Sequence, residues 1–193
     1  MLRKLYDRTL ALAAHPKAER WLALVSFSEA SFFPIPPDVM MLPMILADRR
    51  RAWRVALITT LASLAGAFGG YAIGYFFFET IGKPVLDLYG HLEDFAGFQG
   101  LYNEWGFWIV FAAGFTPIPF KVVTIASGVT ALALLPFGLA ALAGRAARFF
   151  LVAALLYYFG PPIRRFVERY LGILTLLFCV LLVGGFVALR YVF

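Results

Sequence analysis

Apolar residues run through this chain in long blocks, and short polar or basic clusters separate the blocks. Residues 171–189 (LGILTLLFCVLLVGGFVAL) hold 19 residues without a charge, enough for a helix that spans a bilayer. Residues 53–78 carry one early charge, Arg54, and then a continuous apolar run that predicts a second span. Residues 135–159 predict a third, with Arg145 and Arg148 in its middle. Inside the 53–78 block Ala62, Gly66, Gly70 and Gly74 recur every fourth residue, a row of small side chains that allows close helix packing.

Two other apolar stretches are too short or too broken to be simple spans. Residues 21–33 (WLALVSFSEASFF) run into Pro34, Pro36 and Pro37, which cannot continue a helix, and a second short run, 39–47, follows. Residues 106–134 repeat the plan: GFWIVFAAGF, then Pro117 and Pro119, then VVTIASGVTALAL. Each reads as two half-helices meeting at an elbow. Broken backbone of this kind persists at membrane depth only where protein or a water-filled cavity covers it.

The two elbows are related in sequence. FPIPPDVM at 33–40 aligns with TPIPFKVV at 116–123, and LAGAFGGY at 64–71 aligns more weakly with LAGRAARF at 142–149. Each half is thus an elbow followed by a spanning helix.

Composition fits a membrane protein. The 193 residues are 62% hydrophobic and 15% charged, against roughly 45–50% and about 25% in soluble domains. The net charge of +6 is spread in clusters between apolar runs, which argues for membrane orientation and against nucleic acid. Basic residues concentrate in 1–20, 48–54 and 160–170, whereas 79–105 is acidic apart from Lys83. The positive-inside rule then puts the first three segments in the cytoplasm and 79–105 outside. Followed along the chain, this assignment gives the two halves opposite orientation, a transporter plan.

The expected fold is an all-α integral membrane protein, built as an inverted repeat of a re-entrant half-helix hairpin plus a transmembrane helix. One membrane domain comprises an N-terminal amphipathic helix (1–20), a first repeat (21–78), an outward-facing linker (79–105), a second repeat (106–160), and a cytoplasmic loop with a C-terminal transmembrane helix (161–193). The expected location is a bacterial inner membrane, multi-pass, with a cytoplasmic N-terminus. Residues 1–20 lack the uninterrupted apolar core of a cleaved signal peptide.

Five ionisable residues fall inside the apolar zone: Glu29, Asp38, Lys121, Arg145 and Arg148. A single Asp, Lys or Arg at a helix centre costs about 2.5–3.5 kcal/mol on insertion scales, so these groups must pair, meet water or be neutralised. Bland roles exist for each: Glu29 and Lys121 near an interface, Asp38 as a helix cap, the arginines as structural partners of the carboxylates. The functional reading gathers them around one cavity. Three cations against two carboxylates leave a net charge of +1, rising to +3 if both acids are protonated. Such a site favours an anion, and guanidinium groups suit phosphate because they bind it bidentately. Arg145 and Arg148, three apart, share a helix face.

The stretches SEASFFPIPPDVM (28–40), GFTPIPFKVVTIASG (114–128) and GRAARFF (144–150) resemble the DedA family of bacterial membrane proteins, nearest its YqaA-like branch, within the VTT-domain (SNARE-associated) superfamily. The resemblance covers about residues 20–165. It implies two facing re-entrant loops and a role in moving lipids, such as a polyprenyl-phosphate carrier or phosphatidylethanolamine, with scramblase-like eukaryotic relatives. It also implies proton or potential coupling in some members, and places the family's essential acidic residues on Glu29 and Asp38. Many members carry two arginines around the second elbow. Here Lys121 stands for one, and Arg145 and Arg148 supply charge from the adjacent helix.

The expected function is a transporter or flippase for an anionic lipid or polyprenyl-phosphate carrier. Glu29 and Asp38 would couple protons, and Lys121, Arg145 and Arg148 would hold the head group. Pro34, Pro36, Pro37, Pro117 and Pro119 would form the elbows, and Gly66, Gly70 and Gly74 the packing face. The alternative is a proton-coupled carrier of a small soluble ion. An enzyme is not expected: Cys179 has no partner, His15 and His91 are far apart, and nothing marks a nucleophile or a metal site. No cofactor is expected; the partners are membrane lipids and protons, and an oligomer is compatible with the sequence.

Overall fold

A computed structural model describes residues 17–33, 35–88, 92–116, 118–160 and 162. Outside these lie most of the surface helix expected over 1–20, with His15, and nearly all of 161–193, including the C-terminal span and Cys179. His91 and the elbow prolines Pro34 and Pro117 also lie outside. Every regular element among the described residues is helical.

Helix α1 is Ala18–Ser31 and α2 is Asp38–Ala47, separated by the first elbow. A short 3-10 turn, Arg49–Arg51, leads into α3, Ala52–Phe77. A π-helical stretch, Phe78–Gly82, continues α3 into α4, Lys83–Leu88. Helix α5 is Leu92–Phe115, and after the second elbow α6 is Phe120–Val129. Helix α7 is Leu134–Gly160. The continuous helical run Arg49–Leu88 and α7 are both long and apolar enough to cross a membrane. Only 39% of each apolar window is buried, and large side chains such as Phe76, Trp105, Trp108 and Leu135 point outward. A core helix of a water-soluble protein would bury that face; an outward apolar surface of this extent suits lipid.

One expectation is corrected. The residues before the second elbow do not form a ten-residue half-helix after a loop: α5 is 24 residues long, roughly 36 Å at the helical rise. Most of the linker expected over 79–105 is therefore helical. Its polar residues lowered the apparent hydropathy, but two of them face inward. Gln99 Nε2 and Asn103 Nδ2 donate to the Thr130 carbonyl at 2.8 and 3.0 Å, satisfying the end of α6 that has no intrahelical donor. Helix α1 likewise begins earlier than expected, and its Glu19 pairs with Arg54 at 2.7 Å.

The glycine row of α3 receives the half-helices of both elbows. A Cβ on Gly66 would run into the backbone carbonyl of Phe27 in α1, and one on Gly74 into that of Ile125 in α6. Gly70 lies between, against Thr124. In α7, Gly144 approaches the backbone of Phe111 in α5 in the same manner. Gly66 and Gly144 are the glycines of the two Leu-Ala-Gly matches, so each half seats the helix before its elbow on an equivalent glycine.

Two apolar clusters result. One joins Leu22, Met41, Ile45, Val55, Ala56, Phe149 and Leu156; the other joins Ala30, Ala67, Val110, Phe120, Phe137 and Ala141.

Candidate functional site

Between these clusters lies a polar layer. Along α7, Ala140 and Ala141 belong to one cluster, Phe149 and Ala153 to the other, and Arg145 and Arg148 fall between. Along α3 the same gap holds buried Thr59, Thr60 and Ser63, and along α1 it holds buried Ser26 and then Glu29. Ser26, Thr59 and Thr60 donate to the carbonyls of Leu22, Val55 and Ala56, four residues back in their own helices. These hydroxyls therefore sit in the interior without an unmet donor.

Arg145 is the anchor of the layer. Its guanidinium forms an ion pair with Glu29 and donates from Nε to Ser63 Oγ at 2.7 Å. The Phe120 ring lies 4.4 Å and the Phe149 ring 5.1 Å from its guanidinium carbon, close enough for cation–π attraction on both sides. Only 2% of the side chain is exposed, against 14% for Glu29. One arginine thus ties α1, α3, α6 and α7 together.

Arg148 is held more openly. Its Nη2 meets Asp38 Oδ2 at 2.7 Å, and its Nη1 donates to the Thr116 carbonyl at 3.0 Å. Asp38 opens α2 just after the first elbow, and Thr116 opens the second elbow, so this guanidinium bridges both. Asp38 and Arg148 keep 21% and 22% of their side chains exposed. Asp38 makes no capping bond to its own helix; Pro37 holds the cap position. The capping role open to Asp38 in the sequence is replaced by the ion pair.

Further hydrogen bonds tie α1 to α6 and to α3. Thr124 Oγ1 in α6 donates to the Ala30 carbonyl in α1 at 3.0 Å, and Ser31 Oγ donates to the Gly66 carbonyl at 2.8 Å. Pro37 and Pro119 precede the first residues of α2 and α6, where a missing N–H costs nothing, and Pro36 lies in the first elbow.

The structure therefore brings Glu29, Asp38, Arg145 and Arg148 into one layer. Lys121 is not drawn in: half-buried in the first turn of α6, its side chain makes no ion pair or hydrogen bond among the described residues. Sequence reasoning missed Ser63, Phe120, Phe149 and the Thr116 carbonyl. A serine eleven residues after Ala52 in an apolar helix carries a weak signal, and a backbone carbonyl carries none. Chemically, the layer offers a buried guanidinium paired with Glu29 and Ser63 beside a partly open one whose carboxylate partner an anion could replace.

The VTT domain family profile matches residues 30–158, which takes in both elbows and, of the four paired charges of the layer, all but Glu29. An uncharacterised protein of Haemophilus influenzae is 39% identical over 168 residues, covering 85% of this chain and 87% of the relative. An uncharacterised protein of Histophilus somni is 40% identical over 156 residues, 81% of each. A third, from Methanocaldococcus jannaschii, is 35% identical over 102 residues, 52% of this chain and 59% of its own. No solved structure matches the chain significantly.

Proposed function

This chain belongs to the VTT-domain (DedA) family, and from that premise we propose that it moves an anionic lipid, or the phosphate head of a polyprenyl carrier, across a bacterial inner membrane. The observation that carries the reading is Arg148, which grips the first elbow through Asp38 and the second through the Thr116 carbonyl, midway between two apolar clusters.

In this reading the protein is a single membrane domain whose halves, 21–78 and 106–160, run in opposite directions with the basic segments in the cytoplasm. Helices α1–α2 and the elbow end of α5 with α6 are the re-entrant hairpins. Arg145 keeps the frame, because Glu29 and Ser63 hold two of its guanidinium nitrogens and two aromatic rings flank the group. Arg148 does the exchange. A phosphate entering the layer takes the place of Asp38 on Arg148 with two parallel hydrogen bonds, the geometry guanidinium favours. The displaced Asp38 carboxylate then loses its cationic partner while only 21% exposed, and taking up a proton relieves that cost. Proton movement and head-group movement are thereby linked. With Asp38 protonated, Arg145 and Arg148 against Glu29 leave the layer at +1, and a singly charged phosphodiester brings it to neutrality.

The test is reconstitution in liposomes with a labelled anionic lipid, comparing wild type with Arg148→Ala. Faster movement between leaflets that the variant loses supports the assignment. Full activity in the variant overturns it. Uptake of a small soluble anion driven by a pH gradient, without lipid movement, favours the soluble-ion carrier.

A further inference from the structure

A second basic site lies at the other end of α7. A cavity of about 550 Å³ is lined by Leu46, Ala47, Asp48, Arg49, Arg50, Tyr157 and Tyr158. Tyr157 is nine residues beyond Arg148, roughly 13 Å along the helix axis, so this cavity is separate from the central layer.

Its charge is not cancelled from within. The carboxylate of Asp48 is already engaged: Oδ1 accepts from the Arg50 amide at 3.1 Å and Oδ2 pairs with Arg51 at 3.2 Å, outside the lining. The Arg50 guanidinium makes no ion pair or hydrogen bond among the described residues. Arg49 uses only Nη1, on the Tyr157 carbonyl at 3.2 Å, and its stem packs where a Cβ on Gly160 would otherwise stand. That packing holds one guanidinium in place before any ligand arrives. The remaining walls are apolar or aromatic, and Trp53 lies against Tyr157 with ring centroids 5.8 Å apart. Aromatic rings beside basic residues at the end of a spanning helix mark the head-group level of a bilayer.

We propose that this cavity binds the phosphate head group of an anionic phospholipid from the leaflet adjoining the basic segments. Arg49 and Arg50 would bind the phosphate, and Leu46, Ala47 and the tyrosine rings would flank the glycerol and first methylenes. The space is larger than a bare phosphate ion needs, and Leu46, Ala47 and two tyrosines stand in its wall beside the charged residues, which favours a lipid over inorganic phosphate. Basic pockets between helices at a membrane surface bind lipid head groups in this way. The inference rests on the membrane reading of α3 and α7 and not on translocation, so each can fail without the other.

The experiment is native mass spectrometry of the full-length protein in detergent, titrated with phosphatidylglycerol, phosphatidylcholine and inorganic phosphate. Phosphatidylglycerol should bind more tightly than phosphatidylcholine. Arg49→Ala with Arg50→Ala should weaken it by about thirtyfold, as expected for two surface cations. Ala47→Trp, which fills the cavity without altering charge, should also weaken it, and keeps the test open if the double variant folds poorly. Equal binding of the two lipids, or an equal loss in Arg20→Ala with Arg54→Ala, would overturn the site. Displacement of the lipid by inorganic phosphate at similar concentration would overturn the lipid assignment.

Discussion

Arg148 and Asp38 stand 110 positions apart in the chain, yet their side chains meet at 2.7 Å. The same guanidinium also holds the second elbow through Thr116. The only direct link of one charged side chain to both elbows, among the described residues, is therefore also the more open of the two arginines. Exposure and connectivity together make it the group best placed to respond to a ligand.

The two arginines should fail differently. Arg145→Ala strands Glu29 in the interior and should cost roughly 3–5 kcal/mol, the range for breaking a buried pair. Arg148→Ala leaves a partly exposed Asp38 and should melt much closer to wild type while losing transport. Thermal unfolding in detergent, run beside the liposome assay, separates the two. Equal melting temperatures would mean that Arg145 is not the anchor.

Arg145→Lys should not restore the anchor. A single ammonium cannot serve Glu29 and Ser63 while stacking between Phe120 and Phe149. Stability should remain well below wild type. Ser63→Ala, which removes one neutral partner, should cost only about 1 kcal/mol.

Charge reversal tests the elbow clasp. Asp38→Arg and Arg148→Asp should each destabilise the protein, and the double variant should recover part of the loss, with a coupling of about 0.5–3 kcal/mol. Transport should not return with stability, because a carboxylate at 148 cannot donate to the Thr116 carbonyl. Additive effects of the two substitutions would argue against the pair.

Glycines should divide by their surroundings. Gly66→Val and Gly144→Val drive side chains into neighbouring backbone and should cost about 1–3 kcal/mol or more as overpacking. Gly97→Ala and Gly100→Ala, where an added Cβ meets nothing within 4 Å, should be neutral or stabilising by up to about 1 kcal/mol through helix propensity. Melting curves of the four single variants check the division.

Much of this protein is written in one dimension. Block length and proline position marked α2, α3, α7 and the start of α6 to within two residues or so, because a helix needs an uninterrupted apolar run and proline removes the N–H that would extend it; the half-helix expected to run to 134 instead ends at Val129. The match of Pro-Ile-Pro in the two halves located both elbows. The cost of charge in an apolar run singled out Glu29, Asp38, Arg145 and Arg148. The length of α5 was hidden, since Gln99 and Asn103 look like linker residues until the end of α6 is seen beneath them.

Which charge meets which was decided only in three dimensions. Arg145 and Arg148 are equivalent in sequence, three residues apart on one face; their fates diverge because the glycine contacts fix how far α1, α5 and α6 approach α3 and α7. That approach buries Arg145 among Glu29, Ser63 and two aromatic rings, leaves Arg148 at the elbows, and keeps the Lys121 side chain out of the pairing. A sequence records how polar each position is. The rotation and separation of helices, set by backbone contacts at a few glycines, determine which partner a buried charge finds.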